Sequence, residues 1–217
     1  MRTAFATSSL TIGLYASLIV VFAGIGFGVM CALNQNKFID RFFMVLSTLG
    51  ATIPSFVLAT GFLFIFSKTL GWVPSFGVDT ATGYIGPIVV IGAFSLSFIT
   101  RLTRTSLLEV QQQDYIRTAR SKGISEFKVT YKHALRNALL PVITYVGPMV
   151  ASIVTGSFVI EKVFGIPGVG SLFTNSIINR DYPLIMGITV FFAILLIISV
   201  LIVDFIYVLV DPRIKLD

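Results

Sequence analysis

Residues 101–136 read RLTRTSLLEVQQQDYIRTARSKGISEFKVTYKHALR and form a basic, polar island in a chain that is otherwise strongly apolar. Uncharged runs flank the island at 84–100 and 137–160. Of all 217 residues 55% are hydrophobic and 12% are charged, and the mean hydropathy is +0.92. A soluble domain of this composition would have too few polar residues to cover its surface. The sequence therefore predicts an integral membrane protein that holds a polar segment, 101–136, outside the bilayer.

Five long apolar runs predict five transmembrane helices in one all-α domain that covers 1–217. About 20 residues, at about 1.5 Å per residue, cross a hydrocarbon core about 30 Å thick. Barrel strands are a poor alternative, because they would appear as alternating segments of about 10 residues. The predicted spans are 10–33, 42–67, 84–100, 137–160 and 182–210.

The distribution of Lys and Arg predicts the orientation, because these residues are retained on the cytoplasmic side. With 101–136 inside, twelve Lys and Arg lie in the cytoplasm and four lie outside. We therefore expect a cell-membrane protein with 101–136 and the carboxyl terminus in the cytoplasm. The net charge of +6 then reflects orientation, and no nucleic-acid partner is expected.

The island itself reads as two amphipathic helices joined by a glycine turn. Apolar positions from Leu108 recur at helical spacing up to Gly123, and Ser125 is placed to cap a second helix. A second apolar stripe leads into the next span at Pro141 and consists of Phe127, Tyr131, Ala134, Leu135 and Ala138. The surface could meet a soluble partner or lie on anionic headgroups, and charge alone does not choose between them.

Other residue types limit the chemistry that the chain can perform. It has no phosphate-binding loop, so ATP and magnesium are expected on other subunits, and no cofactor is expected on this chain. A single cysteine, Cys31, and a single histidine, His133, provide no metal-ligand set. Asp204, within the last span, is the one candidate coupling residue for a stand-alone secondary transporter or channel, which is the alternative function. Glycines and prolines inside the spans indicate close packing or bends that shape a solute path.

Several motifs resemble those of ATP-binding-cassette importer permeases. The island is similar to their cytoplasmic loop, whose general form is Glu-Ala-Ala, three residues, Gly. Arg117 and Thr118 stand at the first two positions here, so that Ala119 and Gly123 match, and the peptide/nickel branch commonly departs in this way. The motifs that resemble this branch are YIRTARSKG (115–123), HALRNALLP (133–141), IPSF (53–56), LGWVP (70–74), IEKVFGIPGVG (160–170), NRDYP (179–183) and DPR (211–213).

The resemblance covers nearly the whole chain and implies a type I importer permease, the first of two paired subunits, that is not itself an enzyme. Implied partners are a second homologous permease, two cytoplasmic ATPase subunits, an extracytoplasmic substrate-binding protein and the lipid bilayer. The implied ATPase-coupling residues are Arg117, Thr118, Ala119, Arg120, Gly123 and Ser125. The loop-to-span signature is His133, Asn137 and Pro141, and the candidates for an outer gate or a binding-protein contact are Glu161, Pro167, Gly168 and Gly170.

Members of this family usually carry another span and an extracytoplasmic segment before the position of Thr11. The orientation count places the amino terminus outside, with little sequence before the first span, which is compatible with a natural start further upstream. A shortened protein and a truncated sequence both fit this pattern. The motifs leave the solute open among dipeptides, longer peptides, nickel chelates, opines and glutathione.

Overall fold

A computed structural model describes the backbone of residues 2–154 and 157–210 and the side chains of 8–154, 157–202 and 205. Within these ranges the regular structure is helical and contains no strand, which confirms the prediction of an all-α fold. The helices are α1 (Arg2–Leu33), α2 (Phe38–Thr52), α3 (Ser55–Phe62), α4 (Ile85–Gln111), α5 (Asp114–Ser121), α6 (Glu126–Lys128), α7 (Leu135–Ala138), α8 (Leu140–Val154), α9 (Phe158–Val163), α10 (Val169–Ile178) and α11 (Tyr182–Val210). Two π-helical segments, Leu63–Thr69 and Val129–Ala134, continue α3 and α6.

Four stretches in the described part of the chain are long and apolar enough to cross a membrane as helices: Ser8–Leu33, Ala81–Gln111, Leu140–Val163 and Tyr182–Ile202. A fifth is available if the bent pair Phe38–Thr52 and Ser55–Thr69 forms one span. Four to five membrane helices thus agree with the predicted class, while the membrane boundaries of the five spans stay a prediction.

The second predicted span, 42–67, is bent by 109° between α2 and the helix that begins at Ser55. Ile53 ends α2 in an extended conformation, with φ −75° and ψ 125°, and Pro54 precedes the first residue of α3. Proline disfavours helical geometry in the residue before it and offers no N–H to the carbonyl of Gly50. We call residues 50–55 the elbow.

Helix α4 lies at the centre of the bundle, and α1 packs along it through small residues. A Cβ atom added to Gly28 would overlap the side chain of Thr103, and one added to Gly24 would overlap Ile99. Gly26 faces away, with no atom within 4 Å of the corresponding position. Glycines four residues apart therefore let the two helix backbones approach closely, as is common in lipid.

Polar contacts fasten α2 to α4 at two places, one at the start of α2 and one nearer the elbow. Asp40 is buried and accepts two hydrogen bonds from the guanidinium of Arg104, with Nε–Oδ1 and Nη2–Oδ2 distances of 2.6 and 2.7 Å. The backbone N–H of Asn36 donates to the same carboxylate at 2.8 Å. One turn earlier on α4, Arg101 donates to the carbonyl of Ser47 at 3.2 Å. Because both contacts join the same two helices, α2 and α4 form one rigid pair.

The packing of α1 on α4 predicts different effects for two neighbouring glycines. Gly28→Ala should lower stability by about 1–3 kcal/mol, because the added methyl group overpacks the interface with Thr103. Gly26→Ala should leave stability unchanged or slightly higher, since Ala favours the helix. Thermal unfolding of the two purified variants in detergent measures the difference, and equal midpoints would contradict the close α1–α4 contact.

Candidate functional site

The polar segment begins inside a helix. Helix α4 continues through Arg101 to Gln111, and the chain breaks at Gln112–Gln113 before α5. The single helix expected from Leu108 to Gly123 is therefore wrong. Leu107 and Ile116 are both fully buried in one cluster. They are nine residues apart, which is two and a half helical turns, so in one continuous helix they would lie on opposite faces. The break lets both side chains reach the same core.

Helix α5 is held against the rest of the chain by its apolar face. Ile116 and Ala119 are buried in a core that we call the inner cluster. Arg117, Thr118 and Arg120, also predicted as coupling residues, lie on the exposed face. The inner cluster consists of Val29, Ala32, Leu107, Ile116, Ala119, Val129, Ala134 and Ala138. Ala119 thus packs within this chain, whereas its neighbours face outward.

Gly123 forms the turn that the sequence predicts. Its φ of +75° lies in the left-handed region that favours glycine, and nothing lies within 4 Å of where a Cβ atom would stand. The N–H of Gly123 donates to the carbonyl of Arg120 at 2.9 Å, and that of Ile124 donates to Ala119 at 3.3 Å, the paired bonds that close a glycine-terminated helix. Ile124 then packs against the inner cluster.

An ion pair closes the same turn on the exposed side. The Arg120 guanidinium donates to both carboxylate oxygens of Glu126, at 3.0 and 3.3 Å. Ser125 precedes α6 as predicted, but its side chain makes no capping hydrogen bond. The predicted second stripe is also wrong in part: Phe127 and Tyr131 are exposed and stack on each other with ring centroids 4.5 Å apart. Ala134 of the predicted stripe is buried, and the π-helical Val129–Ala134 segment also turns Val129 inward, which the stripe did not include.

The three residues of the loop-to-span signature lie along the path from the turn to α8. His133 lines a groove of about 510 Å³ together with Gly123, Lys128 and Lys132. The amide of Asn137 donates to the hydroxyl of Tyr115 at 2.8 Å and so ties this segment back to α5. Pro141 is the second residue of α8, in the first turn, where backbone N–H groups have no partner within the helix. A proline there costs the helix no hydrogen bond.

The outer-gate candidates form a second site around a buried carboxylate. Glu161, 3% exposed, accepts a hydrogen bond from the hydroxyl of Ser9 at 3.1 Å and one from the N–H of Ser171 at 2.7 Å. The Ser9 hydroxyl in turn accepts the N–H of Val169 at 3.0 Å. Glu161 therefore joins α1 to the first turn of α10, where a carboxylate meets the N–H groups that have no partner within the helix.

The glycines of this segment make room for Glu161. A Cβ atom on Gly168 would overlap the Glu161 carboxyl group, and one on Gly170 would crowd both that group and the backbone of Phe158. Pro167 is exposed, whereas Gly168 and Gly170 are buried. Of the four candidates, only Pro167 thus offers a surface to another molecule, and the other three build the turn.

Neither site brings metal-ligating side chains together. In the ranges that the structure describes, His, Cys, Asp and Glu side chains form no group of three that could hold a metal ion. The first site offers a basic, exposed surface on a segment anchored to the spans, and the second holds one end of the bundle together. The side chain of Asp204 and the DPR motif at 211–213 lie outside the described residues.

These features define a class of protein, a helical membrane protein whose exposed polar segment is packed directly onto its spans. The fold matches that of a chain in the inward-facing MetNI methionine ABC transporter, with a TM-score of 0.75, 19% identity and coverage of 95% of this chain and 94% of that one. It also matches a chain of an amino acid ABC transporter with a TM-score of 0.71 and 13% identity, covering 95% of this chain and 92% of that one. The type I importer fold is thereby confirmed.

Sequence comparison gives the family. Residues 24–216 match the model of the binding-protein-dependent transport system inner membrane component. The dipeptide transport system permease protein DppB of Bacillus subtilis is 50% identical over 208 residues, covering 96% of this chain and 68% of that protein. The oligopeptide transport system permease protein OppB of Haemophilus influenzae is 44% identical over 209 residues, covering 95% of this chain and 68% of that protein.

The chain belongs to the family of binding-protein-dependent inner membrane components. It is a multi-pass inner-membrane protein and a permease subunit of an ATP-driven importer, as the resemblance implied. It spans about two thirds of the length of these two relatives.

The geometry around Glu161 predicts its effect on stability. Glu161→Ala should lower stability by about 1–3 kcal/mol, because the Ser171 N–H and the Ser9 hydroxyl lose a buried acceptor. Gly168→Ala should have a similar effect by displacing the carboxylate. Thermal unfolding in detergent measures both, with the exposed Lys162→Ala as the control, and a Glu161→Ala midpoint equal to the control would contradict the assignment.

Proposed function

We propose that this permease subunit imports peptides or related small solutes and forms half of the translocation pathway beside a second homologous permease. The dipeptide and oligopeptide names of the relatives above support this solute class. Solute would arrive on an extracytoplasmic substrate-binding protein, as the family description implies. The carboxyl terminus and residues 101–136 would lie in the cytoplasm, as the distribution of Lys and Arg predicts.

Energy would come from two cytoplasmic ATPase subunits, which would bind the ATP and magnesium that this chain has no motif to hold. Hydrolysis would thus take place on the partners, and this subunit would not act as an enzyme.

We assign the contact with an ATPase to the exposed face of α5 and the Gly123 turn. The observation that carries this assignment is the two-sided character of α5. Ile116 and Ala119 are buried in the inner cluster, whereas Arg117, Thr118 and Arg120 are exposed. A partner that moves the exposed face must therefore move α4, since Leu107 belongs to the same cluster. The two permeases would respond by switching access from one side of the membrane to the other.

The open space at Gly123 allows a test of coupling. Asn tolerates a positive φ, and apart from the two chain neighbours no atom of the described residues lies within 4 Å of the Cβ position. Gly123→Asn should therefore insert, assemble and transport nearly normally. Gly123→Arg should also insert, yet its bulk and charge would enter the ATPase contact. We expect uptake to fall at least about tenfold while ATP hydrolysis persists.

The measurement is peptide uptake and ATP hydrolysis by the assembled transporter in proteoliposomes, with assembly checked by co-purification of the ATPases. Normal uptake by Gly123→Arg would remove the coupling assignment. A wild-type complex without ATP-dependent peptide uptake would instead overturn the proposed function.

A further inference from the structure

Three adjoining cavities follow the open face of α4 that the inner cluster does not use. The first, of about 420 Å³, is lined by Phe94, Phe98, Arg101 and Thr105. The second, of about 340 Å³, lies against the elbow and shares Phe94 with the first. The third, of about 370 Å³, continues towards Phe62 and Phe66. Together they form a groove, apolar at one end, with a single ionised side chain, Arg101, at the other.

The polar groups of this groove do not suit a lipid-facing surface. At the elbow, the carbonyl of Gly50 meets no N–H from Pro54, and residues 52, 54 and 55 are exposed. Non-helical backbone at membrane depth is tolerated where it is covered by protein or lines a water-filled cavity. Arg101 is the first residue of the segment predicted to lie in the cytoplasm, so its guanidinium would stand at the inner end of the groove, within reach of water. The groove therefore faces an aqueous path or a second subunit.

The composition and size of the groove favour an aqueous path that holds a small solute. Sites for small molecules are concavities of about 300–1,000 Å³, mostly apolar, with a few polar groups that set orientation. The aromatic rings at positions 94 and 98 next to one guanidinium fit this description. A flat, dry subunit contact would place a charged group at its rim.

Arg101 retains donors for a ligand. One terminal nitrogen donates to the Ser47 carbonyl at 3.2 Å, and a guanidinium has five N–H groups in all. The nearby carboxylate, Asp40, is engaged by Arg104 and by the N–H of Asn36. Among the ion pairs of the described residues, none involves Arg101. Its charge is therefore available to an anion in the groove.

We propose that this groove is a solute-binding surface of the translocation path and that Arg101 binds the carboxylate of the transported solute. The aromatic and aliphatic wall would accept side chains with little selectivity, while the guanidinium would recognise a group that every peptide carries. The inference rests on the proposed function and adds a chemical class of ligand, a carboxylate-bearing small solute, and the residue that meets it.

Thiol labelling tests the surface without depending on transport. The described cysteine, Cys31, is buried, so Thr105→Cys adds a reactive group one turn from Arg101. In the assembled transporter this thiol should react with water-soluble methanethiosulfonates. The anionic sulfonate reagent should react faster than the cationic ammonium reagent. Arg101→Gln should lower the ratio of the two rates about fivefold, the size of effect expected when one charge close to the thiol is removed in water. Arg101→Lys should preserve most of the ratio.

Uptake provides the second measurement. With the binding protein unchanged, Arg101→Gln should reduce uptake of the dipeptide Ala-Phe at least about tenfold, the effect of losing a charge-assisted hydrogen bond, and Arg101→Lys should restore part of it. Uptake of the carboxyl-amidated dipeptide should change little. If the Thr105→Cys thiol does not react, the groove is covered by the second permease and the proposal is overturned. An unchanged ratio of the two reagent rates in Arg101→Gln would also overturn it. If the wild-type transporter imports the dipeptide and Arg101→Gln imports it equally well, this inference is contradicted while the proposed function stands.

Discussion

The shared burial of Leu107 and Ile116 is the interaction on which the rest of this structure depends. It joins a short polar helix, α5, to the central membrane helix α4, and it requires the chain to break at Gln112–Gln113. Val29 brings α1 into the same core. Because well-packed cores do not deform continuously, a displacement of α5 is passed on to α1 and α4 as a displacement of whole helices. The polar segment is thus a mechanical part of the bundle.

Two polar anchors extend this rigidity beyond the inner cluster. The Asp40–Arg104 pair fastens α2 to α4, and the Glu161 carboxylate fastens α1 to α10. The elbow lies between α2, which the first of these contacts holds, and α3, whose Ala59 is buried in a core with Ile160 and Phe164. Helical hydrogen bonding is interrupted there at a proline. Rigid elements on both sides of a bend suit a subunit that must change access without losing its fold.

Sequence patterns predicted the class, the all-α fold, the family resemblance and the left-handed turn at Gly123, because hydropathy and glycine chemistry are local properties. They did not predict the break before α5 or the exposed Phe127–Tyr131 pair, since these depend on which faces meet in the inner cluster. Asp40 was missed as well, although a lone acid beside an apolar run signals a buried partner. Glu161 was singled out from the sequence, but its two hydrogen-bond partners, Ser9 and Ser171, lie on other helices, and spacing alone does not reveal them.

The central claim is that α5 and the membrane helices move as one body, and a distance measurement tests it directly. Spin labels at Thr118 on α5 and at Gln35 after α1 are both exposed and report the distance across the inner cluster. Pulsed electron paramagnetic resonance on the assembled transporter, without nucleotide and with a trapped ATP state, should give distances that agree within about 2 Å. A change of about 5 Å or more, the rise of one helical turn, would show that α5 moves independently and would contradict the account.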